Sequence, residues 1–175
     1  VLPLTLKTIA VNAFSGCSGL KGVFEVPKNV TSIGSSAFSG CTGLTEVKLP
    51  EGLTSIESYA FENCTGLTEV KLPDSVKSVG TSIFKRCSNL ITVNYPTSLS
   101  SASSYGGLLV GTNVKTIEIP EGITSLPGYV FQDCSSLTKV VLPSTLKTIT
   151  VSAFSGCSGL KGVFEVPKNV TSIGS

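Results

Sequence analysis

The chain contains no histidine at all, and no methionine or tryptophan, among its 175 residues. Without histidine the commonest general base is missing, and so are the Ser/His and Cys/His pairings of nucleophilic catalysis. The six cysteines never occur as Cys-x-x-Cys, so with no imidazole present a zinc site has no ligand set to draw on. No apolar run approaches the roughly 18 residues that a membrane span requires. Val1 to Ile9 is moderately apolar, but it has neither the basic start nor the long apolar stretch of a signal peptide, and it recurs almost unchanged at Val141 to Ile149. It is repeat sequence, and any secretion signal or anchor is expected outside this segment. Thirteen basic residues against eleven acidic ones leave a net charge of +2, too balanced for the basic stripe of a nucleic-acid binder. No glycine-rich phosphate loop is present, because the recurring Ser-Gly-Cys runs into an apolar position each time. With 41% hydrophobic and 14% charged residues, the composition is that of a chain able to bury a core.

What is present is repetition. Cys41 to Pro50 and Cys64 to Pro73 spell the same ten residues, Cys-Thr-Gly-Leu-Thr-Glu-Val-Lys-Leu-Pro. Phe14, Phe38, Phe61, Phe84, Phe131 and Phe154 fall at spacings of 24, 23, 23, 47 and 23, where 47 is two periods with one aromatic lost. Cys17, Cys41, Cys64, Cys87, Cys134 and Cys157 keep the same register, and so do eight prolines from Pro3 to Pro167. A period of this length marks a solenoid, in which each coil buries its apolar side only by stacking on its neighbours.

One period reads Leu44-x-x-Val47-x-Leu49-Pro50-x-x-Leu53-x-x-Ile56-x-x-x-Ala60-Phe61-x-x-Cys64. Val47 and Leu49 alternate with Glu46 and Lys48, the pattern of a short strand with one wet face. Pro50 ends it and is read as position i+1 of a type I turn, since the next position never holds glycine. Leu53 and Ile56 point inward, and Ser58 to Cys64 has room for one or two helical turns with Ala60 and Phe61 on the core.

This register resembles the BspA-like class of leucine-rich repeat, and the likeness covers nearly the whole chain. The resemblance implies an α/β solenoid: a right-handed coil with a parallel β-sheet on the concave face and short helical or 3-10 turns on the convex face. It implies a surface or secreted protein acting in adhesion, without enzymatic activity or cofactor. The chain is expected to be one domain, residues 1–175, of about seven coils. The coil between Pro96 and Pro120 departs from the pattern, lacking Ala-Phe and Cys.

Val1 to Ser35 and Val141 to Ser175 agree at 32 of 35 positions, differing only at Leu4/Ser144, Ala10/Thr150 and Asn12/Ser152. The offset of 140 equals six coils, so a higher-order unit has been duplicated. The expectation is a piece of a longer array without caps, and the alternative to partner binding is a structural element that self-associates end to end through open coils.

The cysteines occupy one position of successive coils and are expected to be buried free thiols, since in-register side chains point the same way and do not face each other for disulfide bonding. The outward strand positions form the candidate binding face. One column runs Val23, Glu46, Glu69, Thr92, Thr116, Lys139, Val163; the next runs Val1, Glu25, Lys48, Lys71, Asn94, Glu118, Val141, Glu165. Glu46 and Glu69 should be strand neighbours, open to three readings: a solvated ladder, a cation site or a carboxylate pair for catalysis. The face suits a protein or a glycan, and it lacks the exposed Trp, Tyr and Arg anchors of tight hot spots. Ser98 to Thr112 is either a decayed coil or a ligand loop carrying Tyr105, with Leu108 expected in the place of the missing phenylalanine. Asn29, Asn63 and Asn169 sit in glycosylation sequons that repetition or chance explains.

Overall fold

The computed structural model describes residues 2–99, 106–162 and 164–174. The chain winds as a solenoid of parallel strands, and each regular coil contributes two of them. The first ladder holds β2 (Gly22–Glu25), β4 (Leu44–Lys48), β6 (Glu69–Val70) and β8 (Thr92–Val93), followed by a separate pair, β9 (Thr116–Glu118) with β11 (Lys139–Val141). This is the strand read from the Glu46 to Leu49 alternation. Val47, Val70, Val93 and Ile117 point into the core while the flanking residues face out. The alternation is broken only before it starts: Thr45 and Glu46 are both exposed, and a register shift sits between Gly22 and Val23.

The second ladder has no counterpart in the sequence pattern. It consists of β1 (Thr8–Ile9), β3 (Ser32–Ile33), β5 (Ser55–Ile56) and β7 (Ser78–Val79), then β10 (Ser125–Leu126), β12 (Thr148–Ile149) and β13 (Ser172–Ile173), all parallel. Two-residue strands are too short to show a period of two. Their stability comes from stacking.

The convex helical or 3-10 turns are corrected: among the described residues no helix forms, so the α/β designation does not hold. The reason lies in where the backbone donors go. In the Tyr59 to Cys64 segment every second N–H donates to the next coil, Tyr59 to Thr81 O at 2.9 Å, Phe61 to Ile83 O at 2.9 Å and Asn63 to Lys85 O at 2.8 Å. The alternate donors close tight local turns, Ala60 to Glu57 O, Glu62 to Tyr59 O and Cys64 to Phe61 O. A helix would keep all of these inside itself. Tyr59 and Asn63, at φ 59° and 57°, both lie in the left-handed region, which breaks any helical run at each end. Each regular coil is therefore tied to its neighbour on three sides.

The proline turn is also shifted by one residue from its expected register. The closing bond runs from Leu53 N–H to Pro50 O at 3.0 Å, and likewise from Val30 to Pro27, Val76 to Pro73 and Val170 to Pro167. Proline thus occupies position i and supplies the accepting carbonyl.

The core is a set of files along the axis. Phe14, Phe38, Phe61 and Phe84 stack with ring centroids 5.2, 5.3 and 5.7 Å apart, and Phe131 stacks on Phe154 at 5.5 Å. In the coil between Phe84 and Phe131 both Leu108 and Leu109 are buried, Leu108 donating its N–H to Val130 O at 2.8 Å and Leu109 standing three residues before Thr112 as each phenylalanine stands before its cysteine. Thr112 takes the cysteine position, with its N–H and its hydroxyl both on Leu109 O. Tyr95, buried in the preceding strand coil, brings its ring 6.3 Å from that of Phe131. Gly106, Val110 and Asn113 bond back to Ser82, Arg86 and Leu90, so the irregular coil remains part of the stack. Tyr105 and the Ser100 to Tyr105 loop lie outside the described residues.

The thiols form a further file. Cys41, Cys64, Cys87 and Cys157 each donate to the carbonyl of the preceding coil's phenylalanine, Phe14, Phe38, Phe61 and Phe131, at 2.9 to 3.1 Å. All six cysteines are free. Five are buried as expected, but Cys17 is exposed.

Candidate functional site

The first ladder sets the geometry of the outward columns. Val23 pairs with Glu46, Glu46 with Glu69, and Glu69 with Thr92; Glu25 pairs with Lys48; Thr116 pairs with Lys139, and Glu118 with Val141. Neighbours in a column are therefore about 4.8 Å apart along the axis, and the two columns are two residues, about 6.6 Å, apart across it. The predicted partnership of Glu46 with Glu69 is present. Twelve of the thirteen described column positions are exposed, and the backbone beneath them is clamped by core residues on the other face of each strand. Val1 and Val163 lie outside the described residues.

Asn94 is the exception. Its side-chain amide donates to Leu72 O at 2.9 Å while its carbonyl accepts from Leu72 N–H at 2.7 Å. It replaces the strand pairing that stops after Val93, and both ends of the amide are committed to the fold. The separate sheet blocks before and after the irregular coil begin here.

The middle coils carry the charge. Glu46, Glu51 and Glu69, with Lys48 and Lys71, surround an open depression of about 520 Å³ floored by Val47 and Leu49 and flanked by Thr45 and Thr68. None of these charged groups makes an ion pair within 4 Å; the pair seen among the described residues, Lys85 with Glu62 at 3.6 Å, lies on the Ala-Phe side of the coil. Lys71 does help to hold the Asp74 carboxyl below its ordinary range, though the larger cause there is the Thr97 N–H donating to it at 2.9 Å. Among the described residues no three ligating groups come together as a metal site would need. The arrangement presents two adjacent carboxylates and two ammonium groups on an open, exposed face.

Other polar groups singled out in the sequence serve the stack. The side-chain amides of Asn29 and Asn169 donate to Leu4 O and Ser144 O of the preceding coil at 2.7 and 2.8 Å, and Asn63 occupies a left-handed turn position beside buried Cys64. A glycan on Asn29 or Asn169 would disturb a structural contact. Glu57 accepts from both N–H and hydroxyl of Ser35, and Glu121 from Ser144 and Thr145, so these carboxylates clip one coil to another. No pattern within one coil signals these contacts, because they join residues 22 to 24 apart.

Comparison with known proteins agrees with this geometry. The sequence model of the BspA type leucine rich repeat region matches residues 7–106 and 107–175, with six copies. Among solved structures the chain is similar to a leucine rich repeat protein of T. pallidum (TpLRR), with 28% identity over 91% of this chain and 76% of that one, at a TM-score of 0.73. A leucine-rich repeat protein from Eubacterium ventriosum is 31% identical over 87% of this chain and 41% of its own, at a TM-score of 0.70. One from Bacteroides ovatus shares the fold, at 24% identity and a TM-score of 0.65 over 97% of this chain and 49% of that one. The chain thus spans less than half the length of the latter two. No curated protein sequence matches it.

Proposed function

The chain belongs to the BspA type leucine-rich-repeat family, and from that premise we propose that it is a non-catalytic segment of a surface or secreted protein that binds another polypeptide through its strand face. Leucine-rich-repeat proteins of this kind generally act in protein interactions or at surfaces, and adhesion is the role that suits an extended, rigid, shallow face. The observation that carries the reading is a charged face on the middle coils, Glu46 in register with Glu69 and Lys48 and Lys71 lining the same depression, with no ion pair among these groups in the described residues. A glycan fits less well than a polypeptide. Sugar recognition draws on exposed aromatic platforms, whereas here Tyr59 and Tyr129 sit on the Ala-Phe side and Tyr95 is buried.

Individual contacts on such a surface are weak, because exposed charge pairs contribute about 0–1 kcal/mol each. Affinity would come from repetition of the unit along an array. The test is a cell-surface pulldown read by mass spectrometry, comparing the native chain with a Glu46→Lys/Lys71→Glu variant. Loss of the retained protein in the variant is the expected result. Equal retention by both would place the binding surface elsewhere.

A further inference from the structure

We propose that the partner matched to the strand face is a second copy of this chain, laid face to face and parallel. Each Glu46–Glu69 column then lies over the partner's Lys48–Lys71 column. The inference rests on the reading of the strand face as the binding surface, and it names the occupant.

Pitch supplies the first argument. Glu46 and Glu69 are direct register partners, so like charges repeat at the sheet spacing of about 4.8 Å, and Lys48 and Lys71, each two residues further along the chain, follow them on the same face. Stacked like charges are mildly unfavourable, and among the described residues no ion pair within 4 Å offsets them. A complementary row must repeat at the same pitch. An extended peptide repeats its same-face side chains every 6.6–6.8 Å or so, and a helix presents i and i+4 about 6 Å apart, so either falls out of step by more than 1 Å per rung. Another parallel stack stays in step.

Symmetry supplies the second. A two-fold axis parallel to the solenoid and midway between the columns exchanges them while keeping the order of coils. Glu46 then faces the partner's Lys48, Glu69 faces the partner's Lys71, and the reciprocal pairs bring the total to four. On the flanking coils Val23 falls opposite Glu25, Thr116 opposite Glu118 and Lys139 opposite Val141, with no like charges opposed. Asn94, opposite Thr92, is already committed to Leu72 and asks nothing of the partner. Turning the copy end for end about these same coils sets carboxylate over carboxylate and ammonium over ammonium. Only the parallel arrangement is self-complementary there. Asp74, the other anion near Lys71, accepts from the Thr97 N–H at 2.9 Å and makes no ion pair with the ammonium within 4 Å.

The face is narrow and the pairs are exposed, so association should be weak for a single chain and strongly screened by salt. Charge reversal tests it with surface substitutions that leave the core untouched. Glu46→Lys/Glu69→Lys makes all four central groups cationic, and Lys48→Glu/Lys71→Glu makes them all anionic. In sedimentation velocity the native chain is expected to self-associate reversibly, and less so as salt rises from roughly 0.05 to 0.5 M. Each variant alone should be monomeric at the same concentration. Their equimolar mixture should recover association, with an apparent dissociation constant at least about tenfold below that of either variant.

A native chain that stays monomeric at low salt overturns the proposal, and so does a variant that associates as well as the native chain, which would point to contacts through the coil ends. The same two variants in the surface pulldown separate the two readings. If the mixture fails to associate but both variants lose the retained protein, the face binds a different polypeptide and only the self-partner is wrong. If both variants keep it, the strand face is not the binding surface.

Discussion

Truncating Phe61 to alanine tests whether the aromatic file is what holds the coils together. The ring is fully buried and stacked between Phe38 at 5.3 Å and Phe84 at 5.7 Å, with interplanar angles of 4° and 22°. Phe→Ala in a core costs about 3–5 kcal/mol through lost transfer energy and the cavity left behind. Each stacked pair adds about 0.5–1.5 kcal/mol beyond area, and two are lost at once, so the upper end of the range applies, about 5 kcal/mol. The structure also contains its own control. Leucine stands at this place in the irregular coil, where Leu108 and Leu109 are both buried, so Phe61→Leu keeps most of the apolar volume and should cost only about 1–1.5 kcal/mol. Urea unfolding followed by far-ultraviolet circular dichroism measures both. In a quasi-one-dimensional stack the alanine variant is expected to unfold near its own coil first, seen as a lower slope as well as a lower midpoint. A cost below about 1 kcal/mol for Phe61→Ala, or equal costs for the two variants, would refute the reasoning that filling this file governs stability.

Four further outcomes follow from particular contacts. Under native conditions a thiol reagent should titrate one cysteine quickly, Cys17, and all six only in denaturant; rapid reaction of more than one would contradict the buried file. Burial pushes the Cys41 thiol up to about 11 and Cys134 to about 12, and Cys64 is raised by its contact with Cys87 and by burial. In the unfolded chain these thiols ionise near 9, so stability should be intact below that pH and fall as pH rises from about 9 toward 11, by linkage; a thermal midpoint flat across that window would contradict it. Asp74 and Glu121 are held below their ordinary range mainly by the backbone N–H groups of Thr97 and Ser144. Their contribution is present above the unfolded carboxylate range and is lost as pH falls through the depressed values, so Asp74→Ala and Glu121→Ala should flatten the acid limb of a thermal stability profile. Asn94→Ala leaves both backbone groups of Leu72 without their partner and should cost about 1–3 kcal/mol, read as a shift in urea midpoint.

How far the sequence could be read depended on whether a contact leaves a trace in one coil. The Val47 and Leu49 alternation with Glu46 and Lys48 is local; it placed the strand, and the described column positions other than Asn94 are exposed. The Ser55–Ile56 ladder leaves no such trace, because a two-residue strand pairs only with its equivalents a whole period away. The expected helical turn at Ala60–Phe61 failed for the same reason: apolar spacing and segment length were compatible with a helix, but the donors of Tyr59, Phe61 and Asn63 go to the next coil. Proline moved by one place in its turn since a residue without an N–H is compatible with either position and only the acceptor on Pro50 tells them apart. Asn94 looked like any other polar face residue until its amide was found on Leu72.

The sequence by itself determined that the chain is a solenoid, where each coil starts, which residues form the phenylalanine and cysteine files, and which face is wet. It did so because those properties repeat, and a period survives in one dimension. Tertiary structure alone decided how each backbone donor is satisfied, why the convex segment is a third line of coil-to-coil bonds, how Leu108, Leu109, Thr112 and Tyr95 restore the stack across the irregular coil, and which charges remain unpaired on the strand face. Those depend on the offset between adjacent coils, and that offset is fixed only when one coil is laid upon the next.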